Sequence, residues 1–496
     1  MTTAYLTVAI PYVNAEPHLG YAYELVLADV AARARRQRGD DVRFLGGTDD
    51  YSLKNVLAAE ATGVPTGEFV DAHAQRFADL AGSLDVSFDD FIRTSRDPRH
   101  RPAVERLWRA CAARGDLYRR SFEGDYCVGC EQFWRPDELI ADGDGRRCCP
   151  EHLAPVERVA EDNWFFRLSA YQDHLERLLA SGELQIHPAP FRDEVLSFVR
   201  GGLVDISVSR SARRARGWGI AVPDDPQQVI YVWFDALANY VSALGFGDAA
   251  EGSAATQAGD SVAYRRWWLD ADERVHVIGK GILRFHAVYW PAFLASAGQP
   301  APTRVEVHPY LTAGGAKLSK SAGEAAPAPS ELAASPGTDA LRWWFASSVS
   351  PVADTDFTEQ RLVEVANADL ANGVGNVVNR IVALARRDRG AGVARSGVWP
   401  VAATVGLEAD VLAALADFDL RGACRLLRDA VGALNRDIEA TRPWTLDGGD
   451  LDAVLARQLA TAQLIARALT PIAPGLAARL EQALTAEPAG PVYARL

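Results

Sequence analysis

The chain has 496 residues, of which 48% are apolar and 24% charged, a composition typical of globular proteins with several domains. Its 52 basic and 65 acidic residues give a net charge of −13, which argues against a generally basic nucleic-acid coat and against attachment to an anionic membrane. A local basic face on one domain is not excluded. The sequence shows neither a signal peptide nor an apolar stretch long enough to span a bilayer, so we expect a cytoplasmic protein without membrane contact.

The N-terminal residues have the pattern of an α/β domain. Residues 4–10 are apolar and rich in β-formers, which predicts a buried strand, and helical periodicity follows from His18 to about Arg38. Residues 41–45 form a second predicted strand, which ends in a Gly-Gly-Thr-Asp sequence. Strand, helix and strand in this order predict a βαβ unit and a parallel sheet, which binds ligands at the carboxyl ends of its strands.

Residues 116–160 interrupt this pattern and carry four of the six cysteines. Two residues separate Cys127 from Cys130, and two residues also separate Cys149 from His152. This spacing is typical of Zn²⁺ knuckles, whose four ligands leave no open position, so we predict a structural zinc site in an insertion. Cys148 lies outside the second pair, and unligated cysteines are the alternative interpretation.

The α/β pattern resumes near residues 229–234 and 275–278, and helical periodicity covers residues 359–484. Residues 322–337 are rich in Ala, Pro and Ser, which predicts a linker or a flexible flap. We therefore predict an α/β fold, in which a Rossmann-type parallel-sheet domain is split by the zinc-bearing insertion and followed by an α-helical bundle domain. The predicted boundaries are residues 1–115 and 227–321 for the halves of the sheet domain, 116–226 for the insertion, 322–358 for the linker and 359–496 for the helical domain.

Lysine occurs only at Lys54, Lys280, Lys317 and Lys320, and arginine supplies all of the other basic residues. A lysine that persists in such a chain is a candidate for a compact point charge that arginine does not replace, although chance survival under codon bias is the alternative. Residues 317–321 read Lys-Leu-Ser-Lys-Ser in a glycine-rich stretch. Such lysines and hydroxyls suit the charge that develops on a phosphate, whereas a solvated basic loop is the simpler interpretation.

His18-Leu19-Gly20-Tyr21 follows the first predicted strand and opens a helix, whose N-terminal N–H groups suit a phosphate. Alone, this tetrapeptide fits an ordinary strand–helix turn. Together with Lys-Leu-Ser-Lys-Ser, however, it resembles the HIGH and KMSKS signatures of class I aminoacyl-tRNA synthetases. Residues 231–244 and 276–291 are similar to the methionyl-tRNA synthetase family, and such segments run from residue 4 to the helical C-terminal region.

The resemblance implies a methionine–tRNA ligase. In that reaction the methionine carboxylate attacks the α-phosphate of ATP, which gives methionyl-adenylate and pyrophosphate, and the aminoacyl group then passes to the terminal ribose of tRNA. The implied partners are methionine, ATP with Mg²⁺, and the initiator and elongator tRNAs of methionine, and we expect a monomer. The residues to which the resemblance gives a catalytic role are His18, Lys317 and Lys320.

The resemblance also implies the binding residues. For methionine these are Ile10, Tyr12, Asp49, Val232, Trp233, Leu237, Tyr240, Ile282 and His286. For ATP they are His18, Gly20, Tyr21, Gly279, Lys280, His308, Lys317 and Lys320. For zinc they are Cys127, Cys130, Cys149 and His152, and for the tRNA anticodon they are Asn376, Arg380 and Trp444. An apolar, aromatic-walled pocket suits a thioether side chain, and unstacked anticodon bases are read by an aromatic ring and by Asn or Arg.

The sequence departs from the family pattern near the expected nucleotide site. Tyr21 and Tyr51 replace two histidines, Gly281 replaces the Asp of a Gly-Lys-Asp sequence, and Pro309 replaces a Gly. Drift in a working enzyme is one explanation. The alternatives are a specialised paralogue that passes the aminoacyl group to a small amine to form an amide, and a non-catalytic tRNA-binding relative.

Overall fold

The computed structural model describes residues 1–129, 132–151, 153–247, 261–314, 316–317, 327–389, 400–485 and 492–496. The elements up to residue 166 are β1 (Thr3–Val8), α1 (Leu19–Gln37), β2 (Asp41–Thr48), α2 (Leu53–Thr62), α3 (Thr66–Ser83), β3 (Asp90–Arg93), α4 (His100–Ala113), β4 (Leu117–Cys127), β5 (Gln132–Trp134), β6 (Ile140–Ala141), β7 (Arg147–Cys148) and β8 (Glu157–Phe166).

The middle of the chain continues the alternation of helices and strands. Its elements are α5 (Gln172–Ser181), β9 (Gln185–His187), α6 (Ala189–Arg200), β10 (Ile206–Ser207), β11 (Ser209–Ser211), β12 (Ala221–Val222), β13 (Asp225–Ile230), α7 (Val232–Leu237), α8 (Asn239–Ser242), α9 (Val262–Tyr264), β14 (Glu273–Gly279), α10 (Trp290–Ser296), β15 (Arg304–His308), β16 (Leu311–Ala313) and β17 (Ala316–Lys317). A short 3₁₀ turn (Lys280–Ile282) and a π-helical turn (Phe285–Tyr289) lie between β14 and α10.

The described C-terminal residues are mainly helical. Their elements are α11 (Pro329–Leu332), α12 (Thr338–Ser348), β18 (Thr355–Asp356), α13 (Glu359–Ala366), α14 (Asn376–Arg389), α15 (Leu407–Ala416), α16 (Leu420–Thr441), α17 (Gly448–Leu469) and α18 (Pro474–Thr485). Among the helices that the structure describes, none is both long and apolar enough to cross a membrane.

Six parallel strands form the central sheet, in the order β3-β2-β1-β14-β15-β9. The predicted βαβ unit is confirmed, because β1 pairs with β2 on one side and with β14 on the other. The chain therefore continues from β1 to β2 on one side of β1, and it later returns to place β14 on the opposite side of β1. At such a switch point the loops after neighbouring strands diverge and open a crevice at their carboxyl ends.

Three features of the middle of the chain do not follow from its sequence pattern. Strand β9 lies inside the predicted insertion yet pairs with β15 at the edge of the main sheet, and its three residues are too short to show a strand pattern. Strand β13 belongs to a separate antiparallel sheet with β11 and β12, and residues 232–237 are helical. Of the predicted linker, residues 329–332 and 338–348 are helical and are separated by a kink at Ser335, and Leu341, Trp344 and Phe345 of the second helix are buried.

The core explains why the helical region packs firmly on the sheet domain. Alternate residues of β1 point to opposite faces of the sheet, and one of these faces, with α1, shares a continuous apolar cluster with α15–α18. Buried polar contacts cross the same junction. The fully buried Arg342 of α12 donates to Asp29 of α1 at 2.7 Å and to the carbonyls of Leu84, Pro471 and Ile472 at 2.8–2.9 Å. Arg35 of α1 donates to the carbonyl of Ala416 at 2.9 Å.

Candidate active site

An open pocket of about 310 Å³ lies at the carboxyl ends of β1, β14 and β15, which is the crevice expected from the strand order. Four short stretches supply most of its wall: residues 9–12 after β1, the start of α1, residues 279–285 after β14, and residues 308–311 at the end of β15. Lys54, Trp233 and two residues of the insertion, Gly129 and Glu151, complete the lining. The pocket is therefore where the predicted ligand-binding segments converge.

His18 is the N-cap of α1. Its Nδ1 accepts a hydrogen bond from the backbone N–H of Tyr21 at 3.1 Å, so a neutral ring carries its proton on Nε2. Gly20 leaves room for the ring, because a Cβ at that position would make a tight contact of 3.1 Å with His18 Nδ1. The result is an imidazole N–H donor beside the positive end of a helix dipole, an arrangement that suits an anion such as phosphate.

Glu24 ties together the three strand ends around the pocket. Its Oε1 accepts from Ala9 N at 3.0 Å, and its Oε2 accepts from Gly279 N at 3.0 Å and lies 3.1 Å from His308 Nε2. His308 Nδ1 lies 2.8 Å from the carbonyl oxygen of Pro309. Both ring nitrogens of His308 therefore lie within hydrogen-bond distance of an oxygen atom, which fixes the ring at the end of β15.

Aromatic rings form part of the pocket wall. Trp233 of α7 stacks on Phe285 with the ring centroids 3.8 Å apart, and its edge meets the ring of Tyr12 at 6.3 Å. Ile10 and Ile282 also line the pocket. Gly47 allows Ile10 to approach, because a Cβ at position 47 would lie 2.3 Å from the carbonyl of Ile92 and 3.1 Å from Ile10 Cγ2. This apolar surface suits a flexible thioether side chain.

Four of the residues predicted for methionine lie behind this wall instead of lining the pocket. Val232, Leu237, Tyr240 and His286 are buried. His286 Nδ1 donates to the carbonyl of Ile282 at 2.9 Å, and His286 Nε2 lies 2.7 Å from the hydroxyl of Tyr240, which donates to it. Burial lowers the pKa of His286 to about 4, so that the ring is neutral at pH 7.

Asp49 is buried at the end of β2 and adjoins the pocket without lining it. Its Oδ1 accepts from Tyr51 N at 3.1 Å, and its own N–H donates to the carbonyl of Pro11 at 2.9 Å. A parallel bridge links Asp49 to Tyr12. The carboxylate is therefore held beside the residues that follow β1, where it can meet an ammonium group.

The predicted nucleotide residues divide into two groups. His18, Gly20, Tyr21, Gly279 and His308 line the pocket. Lys280 does not, because its Nζ pairs with Asp354 Oδ1 at 2.7 Å and lies 4.5 Å above the ring of Tyr310. The backbone of Lys317 lies in β17, paired with Thr312 of β16, whereas its side chain and all of Lys320 fall outside the described residues.

Cys127 and Cys149 lie in one small buried cluster with Trp134. None of the described cysteines forms a disulfide. Cys130 and His152, the other two predicted zinc ligands, lie outside the described residues. A turn in which the N–H of Leu153 donates to the carbonyl of Cys149 at 2.8 Å carries Glu151 to the pocket.

The three residues predicted to read the anticodon are accessible on the helical region. Asn376 opens α14 and is exposed, and Arg380 lies one turn further along the same helix, with its Nη1 3.5 Å from Asn435 Oδ1 of α16. Trp444 follows α16 in a 3₁₀ turn and is 48% exposed, which is unusual for so large an apolar side chain. The turn after α16 thus presents an open aromatic ring to the solvent.

Several lining residues were missed from the sequence. Glu24 had a detectable signal, since it is an acidic residue inside the apolar stretch of the first helix. Phe285 lies next to the predicted His286, and its stacking on Trp233 depends on the π-helical turn. Glu151 and Tyr310 are distant in sequence, and only the fold brings them together.

Comparisons with known proteins agree with this geometry. The family model described as tRNA synthetases class I (M) matches residues 4–382. The chain is 41% identical over 383 residues to the methionine–tRNA ligase of Thermotoga maritima, a match that covers 77% of the chain and 58% of that relative. It is 38% identical over 493 residues to the chloroplastic/mitochondrial methionine–tRNA ligase of Arabidopsis thaliana, with 96% of the chain and 76% of the relative covered. A solved structure of Mycobacterium tuberculosis methionyl-tRNA synthetase in complex with methionyl-adenylate superposes with a TM-score of 0.91 at 34% identity, covering 100% of both chains.

Proposed function

The chain belongs to the class I methionine–tRNA ligases, and we propose that the pocket at the carboxyl ends of β1, β14 and β15 is where it joins methionine to ATP. The aromatic wall of Trp233, Phe285 and Tyr12 takes the methionine side chain, and Asp49 meets the α-ammonium group. The methionine carboxylate then attacks the α-phosphate of ATP, which releases pyrophosphate and leaves methionyl-adenylate. The aminoacyl group subsequently passes to the terminal ribose hydroxyl of tRNA.

The placement of His18 is the observation that carries this assignment. Its Nδ1 is occupied by the helix cap, so Nε2 carries the proton of a neutral ring, and His18 lines the pocket at the end of β1 where a phosphate oxygen would accept from it. Together with the dipole of α1, this donor stabilises the negative charge that develops when the α-phosphate is attacked. Lys317 and Lys320 supply further positive charge, and ATP enters with Mg²⁺ on its phosphates.

Two further assignments support the same function. The buried cluster around Cys127 and Cys149 provides thiol ligands that suit a structural Zn²⁺, with Cys130 and His152 as the other ligands, and such a metal would hold the insertion folded. Trp444, Asn376 and Arg380 offer a stacking surface and hydrogen-bonding groups for anticodon bases of the tRNA.

The test is methionine-dependent exchange between ATP and labelled pyrophosphate, followed by charging of initiator and elongator tRNAs. We expect both reactions. Exchange without charging would contradict the tRNA ligase and favour a paralogue that transfers the aminoacyl group to a small amine. Absence of exchange with every amino acid would indicate a non-catalytic relative.

A further inference from the structure

One corner of the pocket is built around Gly281, at which the family pattern has an aspartate. A Cβ placed on Gly281 would lie 2.2 Å from the hydroxyl oxygen of Tyr310, so no side chain fits at position 281 while Tyr310 holds its place. The same Cβ position lies 3.8 Å from Oε2 of Glu151. The carboxylate of Glu151 therefore lies beside the space that a side chain at position 281 would enter.

Tyr310 holds Glu151 in this corner. The Tyr310 hydroxyl donates to Glu151 Oε2 at 3.3 Å. Tyr310 is itself fixed at two points, because its N–H donates to Asp354 Oδ1 at 2.9 Å and Lys280 Nζ lies 4.5 Å above its ring. The carboxylate therefore belongs to the insertion, two residues after Cys149. Its contact, Tyr310, lies just after strand β15 of the main sheet.

We propose that Glu151 is a nucleotide-binding residue whose carboxylate replaces the missing acidic side chain at position 281 and accepts hydrogen bonds from the ribose hydroxyls of ATP. The inference rests on the proposed function. A carboxylate repels the phosphates that His18 and the N-terminus of α1 attract, whereas ribose hydroxyls are donors that a carboxylate binds well. The carboxylate of Glu24 already accepts from Ala9 N and Gly279 N, so Glu151 adds acceptor capacity to the pocket.

The experiment measures KM for ATP, 2′-deoxy-ATP and 3′-deoxy-ATP in methionine-dependent pyrophosphate exchange. Glu151→Ala should raise KM for ATP at least about tenfold, the expected effect of losing a hydrogen bond to a charged group. With at least one deoxynucleotide the same substitution should raise KM by a clearly smaller factor than with ATP, because a hydroxyl that donated to Glu151 is absent. Glu138→Ala is the matched control, since Glu138 also links the insertion to the pocket-bearing segment, through Arg284 at 2.9 Å, but does not line the pocket.

A variant that carries its carboxylate at position 281 instead of position 151 tests directly whether the two positions are equivalent. Gly281→Asp alone should lower exchange, because its Cβ meets the Tyr310 hydroxyl, whereas Tyr310→Phe leaves Cζ at an ordinary 3.4 Å. Adding Gly281→Asp and Tyr310→Phe to Glu151→Ala should therefore restore KM for ATP. Tyr310 is a positioning residue in this scheme.

Three results would overturn the proposal: an unchanged KM for ATP in Glu151→Ala, an increase of the same size for ATP and both deoxynucleotides, or no recovery in the triple variant. The second result would indicate a loosened insertion, especially if Glu138→Ala reproduces it, or an effect on Mg²⁺. Each of these requires that the unsubstituted chain catalyses exchange. If it does not, the proposed function itself fails, so the two failures are distinguishable.

Discussion

At the scale of single residues, His18 combines a structural and a chemical role on its two ring nitrogens. Nδ1 caps α1, and Nε2 is the proposed phosphate donor. His18→Asn should separate these roles, because Asn is a good N-cap but does not place a donor where Nε2 lies. We expect pyrophosphate exchange to fall about 100-fold while the free energy of unfolding stays within about 0.5 kcal/mol.

His18→Ala is the companion variant for this prediction. It removes the cap as well as the donor, so it should lose the same exchange activity and also about 1 kcal/mol of stability. Equal stability losses in the Asn and Ala variants, measured by urea unfolding, would contradict the cap.

Another prediction at this scale concerns pH and His286. An unfolded histidine binds a proton near its ordinary pKa of 6.5, whereas burial lowers the pKa of His286 in the folded protein to about 4. Between these values unfolding takes up a proton. His286 therefore does not reduce the free energy of unfolding above pH 6.5, and it reduces it progressively as the pH falls towards 4. His286 should contribute a loss of about 3 kcal/mol between pH 7 and pH 4.

The measurement compares the unsubstituted chain with His286→Gln by urea unfolding at both pH values. Other titrating groups are common to the two proteins, so the difference between their pH dependences isolates His286. A variant that loses as much stability on acidification as the unsubstituted chain would show that His286 is protonated in the folded state.

At the scale of elements, Arg342 joins helix α12 to helix α1 and to the turn before α18. Burial alone would raise the pKa of Asp29, but the charges of Arg342 and Arg33 and hydrogen bonds from Ser87 outweigh it and hold the pKa below its ordinary value. Arg342→Met should lower the free energy of unfolding by about 3–5 kcal/mol, because it leaves the Asp29 charge and several carbonyls buried with fewer partners.

Arg33→Met is the matched control for Arg342. Arg33 contacts the same Asp29 oxygen at 2.8 Å, but its side chain is 22% exposed, so its loss should cost only about 1 kcal/mol. The double variant Asp29→Asn/Arg342→Met should recover part of the Arg342→Met loss. Equal effects of the two arginine substitutions in urea unfolding would show that burial of the pair is not what matters.

The cysteine-bearing insertion gives a second prediction for an element. If Zn²⁺ holds the turn that carries Glu151, Cys149→Ser should abolish bound zinc and raise KM for ATP about tenfold or more. Cys424→Ser is the control, because Cys424 is buried in α16 far along the chain from the predicted ligands. Metal analysis and exchange kinetics on both variants check the prediction, and an unchanged zinc content in Cys149→Ser would contradict it.

The elements also show what the sequence could and could not predict. The βαβ unit and the start of the first helix at His18 depend on residues that are close in sequence, so the local sequence pattern predicts them. The ion pair of Lys280 with Asp354 and the meeting of Glu151 with Tyr310 depend on contacts between distant segments. The sequence therefore revealed neither the ion pair of Lys280 nor the acidic residue beside Gly281.

At the scale of the whole molecule, the pocket and the proposed anticodon surface lie in different parts of the chain, so tRNA binding and adenylation can be separated. Trp444→Ala should weaken tRNA binding by about 1–3 kcal/mol, the value of one stacked base, without changing pyrophosphate exchange. Val405→Ala serves as the control, since Val405 is also an exposed apolar residue of the helical region, 58% accessible. An equal loss in exchange and charging would contradict the anticodon assignment.

The hydrogen bond from Arg35 to the carbonyl of Ala416 has a consequence for how the protein is made. Its two residues are 381 positions apart, and α1 also contacts α12 and α15, which are synthesised long after it. At about 5–20 residues per second, a ribosome needs about 20–80 s to travel between them. The first helix therefore emerges long before its packing partners, so nascent chains should stay sensitive to protease and dependent on chaperones until the C-terminal helices have left the ribosome.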